Sequence, residues 1–493
     1  MNEDARKNRP RGKDTRRDHV AHKDVIGKRM LIKRRYTVDL LIKNGTIISS
    51  TETYKADIAV KDGKIVAIGT QLPETAKTII DAKGKLVLPG AIDVHTHLAM
   101  PFGGTVSADS YMTGTRAAAC GGVTTVFDYP VQRKGNGIMS TINEKKAICE
   151  EEACIDYAFH CCITDINDGQ IIEEMADAVA EGITSFKCFF VYKREGMMVD
   201  DGVFAQLLQR AKEVGAIINL HAENPDMIDL NVAKFKAEGK LSPWYHYLSR
   251  PEYVEAEADK RGIHWAKNLE APLYLVHMAD KEGLEAAIEA KKDGYDIFVE
   301  TCPQYLEFTN EVYKREDGRN FVCSPPMKGQ ESQDALWKAI KTGAIDTVAT
   351  DHCPFQSYEK DWGKDDFTKI PNGCAGVENL YPYMLSAANE GKISFNRAVE
   401  LCSSNPAKIF GCADKGSLTV GKDADIVIYD TTKEFTISVD NMHSEYDHTI
   451  WEGKTLKGYP VMTFSRGNLV YKEGEFLGKP GHGKFVKRVG RTV

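Results

Sequence analysis

Hydrophobic positions fall along this chain in two different rhythms. Near the start, Val38 to Ser49 and Lys55 to Gly69 read as short strands, and the second stretch folds at Asp62-Gly63, a dipeptide suited to a tight hairpin. The same texture returns in Ala424 to Tyr429, Val461 to Ser465 and Asn468 to Tyr471, with Arg466-Gly467 between the last two. Nothing in these segments looks catalytic. Antiparallel strands at both ends predict one small β-sandwich built from residues 36–89 and 414–493.

Between them, over residues 90–413, the rhythm becomes strand then helix, repeated. Apolar runs occur at Leu86 to His97, Thr124 to Tyr129, Tyr157 to Ile163, Ser185 to Tyr192, Ile217 to Glu223, Leu273 to Met278, Ile297 to Thr301 and Thr347 to Asp351. Charged segments of helical period separate most of them, as at Gln170 to Glu181, Gly202 to Val214, Lys281 to Asp293 and Glu331 to Thr342. The pattern predicts an α/β chain with a (β/α)₈ barrel of the TIM type.

Composition changes this picture little. The 493 residues are 42% hydrophobic and 27% charged, the balance of an ordinary globular protein with a large core. No apolar run reaches the roughly 18 residues of a membrane span, and the start of the chain lacks the apolar core of a secretory signal. A cytoplasmic protein without a membrane partner is expected. Twelve cysteines are sparse over this length, and several lie inside strand-like runs, so buried reduced thiols are the reading rather than a disulfide framework.

Charge is more informative. The net charge is −7, yet residues 1–35 hold 13 Lys/Arg against 5 Asp/Glu, a local +8 that leaves −15 for the rest. That basic tail has no aromatic residue and no periodicity. It reads as a solvated, disordered extension rather than a nucleic-acid-binding arm.

The chemistry gathers where barrel strands end, the face on which such folds carry their active sites. Strand one ends in His95 and His97, whose alternation puts both imidazoles on one side. Strand five ends in His221, strand six in His277 and strand eight in Asp351. Each has a bland reading alone, but five metal-ligating residues at one face point together to a metal centre. Lys187 lies within the apolar run SFKCFFVY, where burial lowers its pKa and exposes a neutral amine. Two readings stand: an amine that adds carbon dioxide to form a metal-bridging carbamate, or a buried lysine paired with Asp or Glu.

The segments DVHTHLAMPFGGTVSADS, GITSFKCFFVYK, INLHAEN, LVHMA, CSPPMK, ATDHCPF and KIPNG resemble, in order, the dihydropyrimidinase and hydantoinase branch of the cyclic amidohydrolases. The likeness runs over about residues 38 to 485 and leaves out only the tail. It implies that His95, His97 and Asp351 hold one divalent ion and His221 and His277 a second. Carbamylated Lys187 (N6-carboxylysine) and a hydroxide would bridge the two ions, with zinc foremost among zinc, manganese and cobalt. It further implies that Tyr192 donates to the substrate carbonyl and that the backbones of Ser324 and Asn372 bind the ring amide. Asp351 would move the proton of the hydroxide to the leaving nitrogen. The implied activity is opening of 5,6-dihydropyrimidines or 5-substituted hydantoins to N-carbamoyl amino acids, by a homotetramer.

After KIPNG the chain reads CAGVENLYP, which departs from the family pattern near the substrate ring and leaves ring size and substituent open. Two relatives of the same chemistry, dihydroorotase and allantoinase, are alternatives. A dihydroorotase should carry an arginine just past HxH, where this chain has Leu98-Ala99-Met100; the uncharged loop HLAMPFGG after His97, with Phe189, predicts an apolar wall instead. A third alternative, a non-catalytic scaffold, should have lost ligands, and all six are present.

Overall fold

The computed structural model describes residues 37–72 and 75–492. The basic stretch of residues 1–35 lies outside the described residues.

Both chain ends enter one seven-stranded sheet. Its order is Glu475–Phe476, Asn468–Lys472, Thr455–Ser465, Ile426–Thr436, Leu86–Pro89, Thr46–Ile48 and Thr53–Lys55, so C-terminal strands pair directly with N-terminal ones, as at Val427↔Leu88. A second sheet of four strands runs Lys64–Gly69, Asp57–Lys61, Val38–Lys43 and Ala76–Asp81. Leu40, Ile58 and Ile65 from the small sheet share an apolar cluster with Val87, Ile426 and Phe464 from the large one. The Asp62-Gly63 turn forms with φ of 50° and 77° between paired Lys61 and Lys64. Two consecutive left-handed residues match the right-handed twist of the flanking strands.

The middle of the chain is a succession of parallel strands. Ala91–Thr96, Val123–Asp128 and Asp156–Phe159 pair in sequence order. After a break at His160, Cys161–Cys162, Ser185–Phe189, Ile217–His221, Leu273–Leu275, Ile297–Thr301 and Thr347–Val348 continue it. The last segment returns to the first: Thr96 bridges His352 in parallel, with His97 N donating to His352 O at 2.9 Å. Strands buried on both faces need apolar residues at every position, which is why these runs do not alternate. Helices fill the intervals; Gln170–Ala180, for example, turns Ile171, Met175 and Ala178 inward at helical spacing.

Most predicted runs extend beyond the strands they form, and three show why. Leu86 to His97 breaks at Gly90, where any Cβ would sit 2.1 Å from Thr124 Oγ1, and the halves join different sheets. The runs Leu273 to Met278 and Thr347 to Asp351 form strands only as far as Leu275 and Val348, and His277 and Asp351 beyond them adopt φ of 39° and 52°. A left-handed residue cannot continue an extended strand; it turns its side chain across the strand ends. All twelve cysteines are buried and unpaired, and among the described residues no helix is long and apolar enough to cross a membrane.

Candidate active site

All ten residues singled out from the sequence line one cavity of about 50 Å³: His95, His97, Lys187, Phe189, Tyr192, His221, His277, Ser324, Asp351 and Asn372. Met100, Phe102, Met197, Cys353 and Gly373 complete its wall. Open grooves of about 800 and 960 Å³ along the helices Lys281–Lys292 and Gln330–Thr342 are far larger but carry no histidine. Side-chain chemistry, not volume, marks the site.

Its first half is compact. His95 Nε2 and His97 Nε2 lie 3.1 and 3.0 Å from the same oxygen of Asp351, and the three residues offer ligand atoms within 4.8 Å of one another. His95 Nδ1 faces Glu300 Oε1 at 2.6 Å, while His95 Nε2 is buried without a hydrogen-bond partner. Burial pushes the His95 imidazole well below its usual pKa. Burial would raise the Asp351 carboxyl, but the neighbouring His95 and His97 outweigh it and hold it at about 2. At neutral pH the pair is a neutral imidazole beside a carboxylate, the state in which both present lone pairs.

Among the described residues, the second half has no carboxylate of its own facing the cavity. His277 Nε2 and His221 Nδ1 face each other at 3.0 Å, and burial depresses both imidazoles. His221 Nε2 is held at 2.8 Å by Glu223, which Arg250 grips at the same distance. Lys187 stands between the halves on the strand Ser185–Phe189, 1% exposed, its Nζ 4.7 Å from the centre of the Tyr129 ring and 5.3 Å from that of Phe189. Burial lowers its pKa. Among the described residues it has aromatic faces rather than a carboxylate in contact, so the paired-lysine reading lacks its partner.

The opposite wall holds the remaining predicted residues. Tyr192 follows the Lys187 strand with φ of 64°, its ring 5.3 Å from that of His221. Burial drives its phenol far above the ordinary range, so it remains a proton donor. Asn372 Nδ2 donates to Ser324 Oγ at 2.8 Å, tying the two turn segments together.

A profile described as the amidohydrolase family matches residues 86–470, and one for the N-terminal domain of the urease alpha subunit matches residues 18–87. The chain belongs to the amidohydrolase family. Within it, the chain is 42% identical to a D-hydantoinase of Ralstonia pickettii over 92% of its length and 99% of the relative's. It is 40% identical to a D-phenylhydantoinase of Escherichia coli O1:K1, over 91% and 98% of the two chains. The solved dihydropyrimidinase of Brevibacillus agri superposes with a TM-score of 0.90 at 41% identity, covering 92% of this chain and 99% of that one.

Several parts of this amidohydrolase site are not evident from sequence motifs. Glu300 holds His95 and Glu223 holds His221, and Arg250 in turn grips Glu223. The signals for the acids are charged residues inside buried strand ends, FVET and LHAE, which need a partner to be tolerated. Met100 and Phe102 reach the cavity from the uncharged loop singled out after His97; Met197 reaches it from another loop, and nothing in its spacing announces it.

Proposed function

We propose that this amidohydrolase opens uncharged cyclic ureides, 5,6-dihydropyrimidines and 5-substituted hydantoins, to N-carbamoyl amino acids. The observation that carries this reading is the convergence of four histidines, Asp351 and Lys187 on one cavity whose other walls include Met100, Phe102, Phe189 and Met197. The hydantoinase and dihydropyrimidinase names of its relatives support it.

The residues fit a metal centre. Glu300 Oε1 accepts from the backbone N–H of His277 at 3.0 Å and lies 2.6 Å from His95 Nδ1, so it stands as an acceptor and that nitrogen is placed to donate to it. His95 Nε2 then turns a lone pair toward an Asp351 oxygen 3.1 Å away, two acceptors face to face that a cation would reconcile. His95, His97 and Asp351 would hold one divalent ion, and His221 and His277 a second, with Lys187 as its carbamate between them. Such ions, zinc foremost, lower the pKa of a shared water to near neutrality and polarise a carbonyl.

This chain's own residues supply the rest. Asp351 holds the proton of the attacking water and passes it to the leaving nitrogen. Tyr192 donates to the developing oxyanion, a contribution of about 3 kcal/mol in comparable sites. Backbone groups of Ser324 and Asn372 bind the ring amide, and the two methionines and two phenylalanines exclude water. Among the described residues no arginine lines the cavity, so none is there to grip a carboxylate on the ring.

In the same reading the parallel ring is a (β/α)₈ barrel over residues 90–413, the paired sheets are a β-sandwich, and the chain works as a cytoplasmic homotetramer. Ring-opening rates for dihydrouracil, hydantoin, a 5-aryl hydantoin, dihydroorotate and allantoin, measured side by side with metal-loaded protein, test the assignment. Turnover of the first three supports it; preference for dihydroorotate or allantoin overturns it.

A further inference from the structure

Glu300 is fully buried at the end of the strand Ile297–Thr301 and lies outside the six predicted ligands, yet it touches both halves of the site. Its Oε1 is 2.6 Å from His95 Nδ1 and accepts from the backbone N–H of His277 at 3.0 Å. Its Oε2 accepts from the Tyr274 hydroxyl at 2.8 Å, and that hydroxyl also contacts Thr347 Oγ1 at 2.5 Å. One oxygen therefore serves a histidine ring of the first half and the backbone of a histidine of the second.

The geometry favours one arrangement of protons. A backbone N–H can only donate, so the oxygen facing His277 N is an acceptor, and in a carboxyl group the carbonyl oxygen accepts better than the hydroxyl oxygen. A proton on the carboxyl is therefore favoured on Oε2, beside a tyrosine hydroxyl that can accept as well as donate. With Oε1 as the acceptor, His95 Nδ1 carries hydrogen, and Nε2 is left as a lone pair aimed into the cavity beside Asp351. The opposite tautomer would point Nε2–H at Asp351 and close that ligand position. At His277 the bond anchors the amide of a residue with φ of 39°, a strained backbone that persists only where its surroundings hold it.

We propose that Glu300 is a positioning residue for the metal centre: it selects the His95 tautomer and anchors the left-handed turn at His277, so that one side chain sets both half-sites. The proposal rests on the reading of His95 and His277 as ligands.

The test measures zinc affinity by chelator competition, with circular dichroism as a check on folding. Glu300→Gln keeps an acceptor oxygen toward His95 and His277 and a donor toward Tyr274, and should bind zinc within a few-fold of the wild type. Glu300→Leu has neither and should lose about 10- to 100-fold in affinity, the usual effect of losing a carboxylate behind a ligating histidine. Equal losses in both variants would overturn the tautomer argument, since packing and charge would then explain the effect; so would full affinity in the leucine variant. Imidazole ¹⁵N resonances of the metal-free wild type, with His95 assigned by its absence in His95→Ala, read the tautomer directly even if Glu300→Leu fails to fold. Protonated Nδ1 is expected, and protonated Nε2 refutes the proposal. Zinc binding by His95→Ala separates the two levels: undiminished affinity there defeats the ligand reading itself, whereas its loss together with a silent Glu300→Leu defeats only the role of Glu300.

Discussion

The two halves of the site are built differently. His95, His97 and Asp351 form a set with its own carboxylate, two of its imidazole nitrogens within 3.1 Å of one oxygen. His221 and His277 are two neutral rings facing each other at 3.0 Å, with Glu223 engaged behind His221 rather than in the cavity. A divalent ion bound by two neutral imidazoles alone keeps its full charge in a buried place, which is costly. The second half therefore needs an anion from elsewhere, and the buried Lys187 between the halves is the residue that can become one. On the proposed reading the lysine serves the weaker half: its carbamate would complete a site that the two histidines leave short of charge.

The largest effect should come from removing that anion. Lys187→Ala is expected to lose nearly all turnover and most bound metal, the second ion first, and short carboxylic acids added to the buffer should restore part of both by occupying the carbamate's place. Metal content per chain, measured by elemental analysis with and without acetate, checks this; two ions in the unrescued variant would refute it. His221→Ala sharpens the same contrast. It should release one ion and leave the first half loaded, whereas loss of both would mean the halves are not separable.

Asp351→Asn separates ligation from proton transfer in the stronger half. An amide oxygen still ligates weakly but takes no proton, so turnover should fall by about 10²- to 10⁴-fold while part of the metal stays. Normal turnover would remove Asp351 from the mechanism. Tyr192→Phe leaves both halves loaded and should cost about 10²-fold in kcat. A change in KM alone would mean that the phenol places the ring and does not meet the oxyanion. Finally, dihydroorotate should be opened at least about 10²-fold less efficiently than dihydrouracil, because an unpaired carboxylate would be buried against Met100, Phe102 and Phe189. Equal efficiency would mean that a cation reaches the ring carboxylate and that this face is not neutral.

Much of this was legible in the sequence because ligand chemistry and strand position coincide. His95 and His97 alternate along an apolar run, and His221 ends another. Such runs locate both the strand and the face on which the side chain emerges. Legibility ends where geometry depends on a single backbone angle or a distant partner. Nothing in VHMA or ATDH shows that His277 and Asp351 turn left-handed and leave their strands early. Glu300 acquires its meaning only from His95, a residue 205 positions away. The hairpin at Asp62-Gly63 was readable for the opposite reason, since its two residues carry the whole conformational requirement themselves. For Lys187 the sequence left a carboxylate partner and a carbamate equally open, and the Tyr129 and Phe189 rings around its Nζ favour the second.

The contrast between the halves is tested most directly by a crystal structure of the zinc-loaded protein, with anomalous data collected on both sides of the zinc edge. The account predicts two anomalous peaks, one among His95, His97 and Asp351 and one at His221 and His277, with density for a carboxylated Lys187 reaching both. A single peak at the first set with an unmodified Lys187 amine, or no peak at either set, would contradict it.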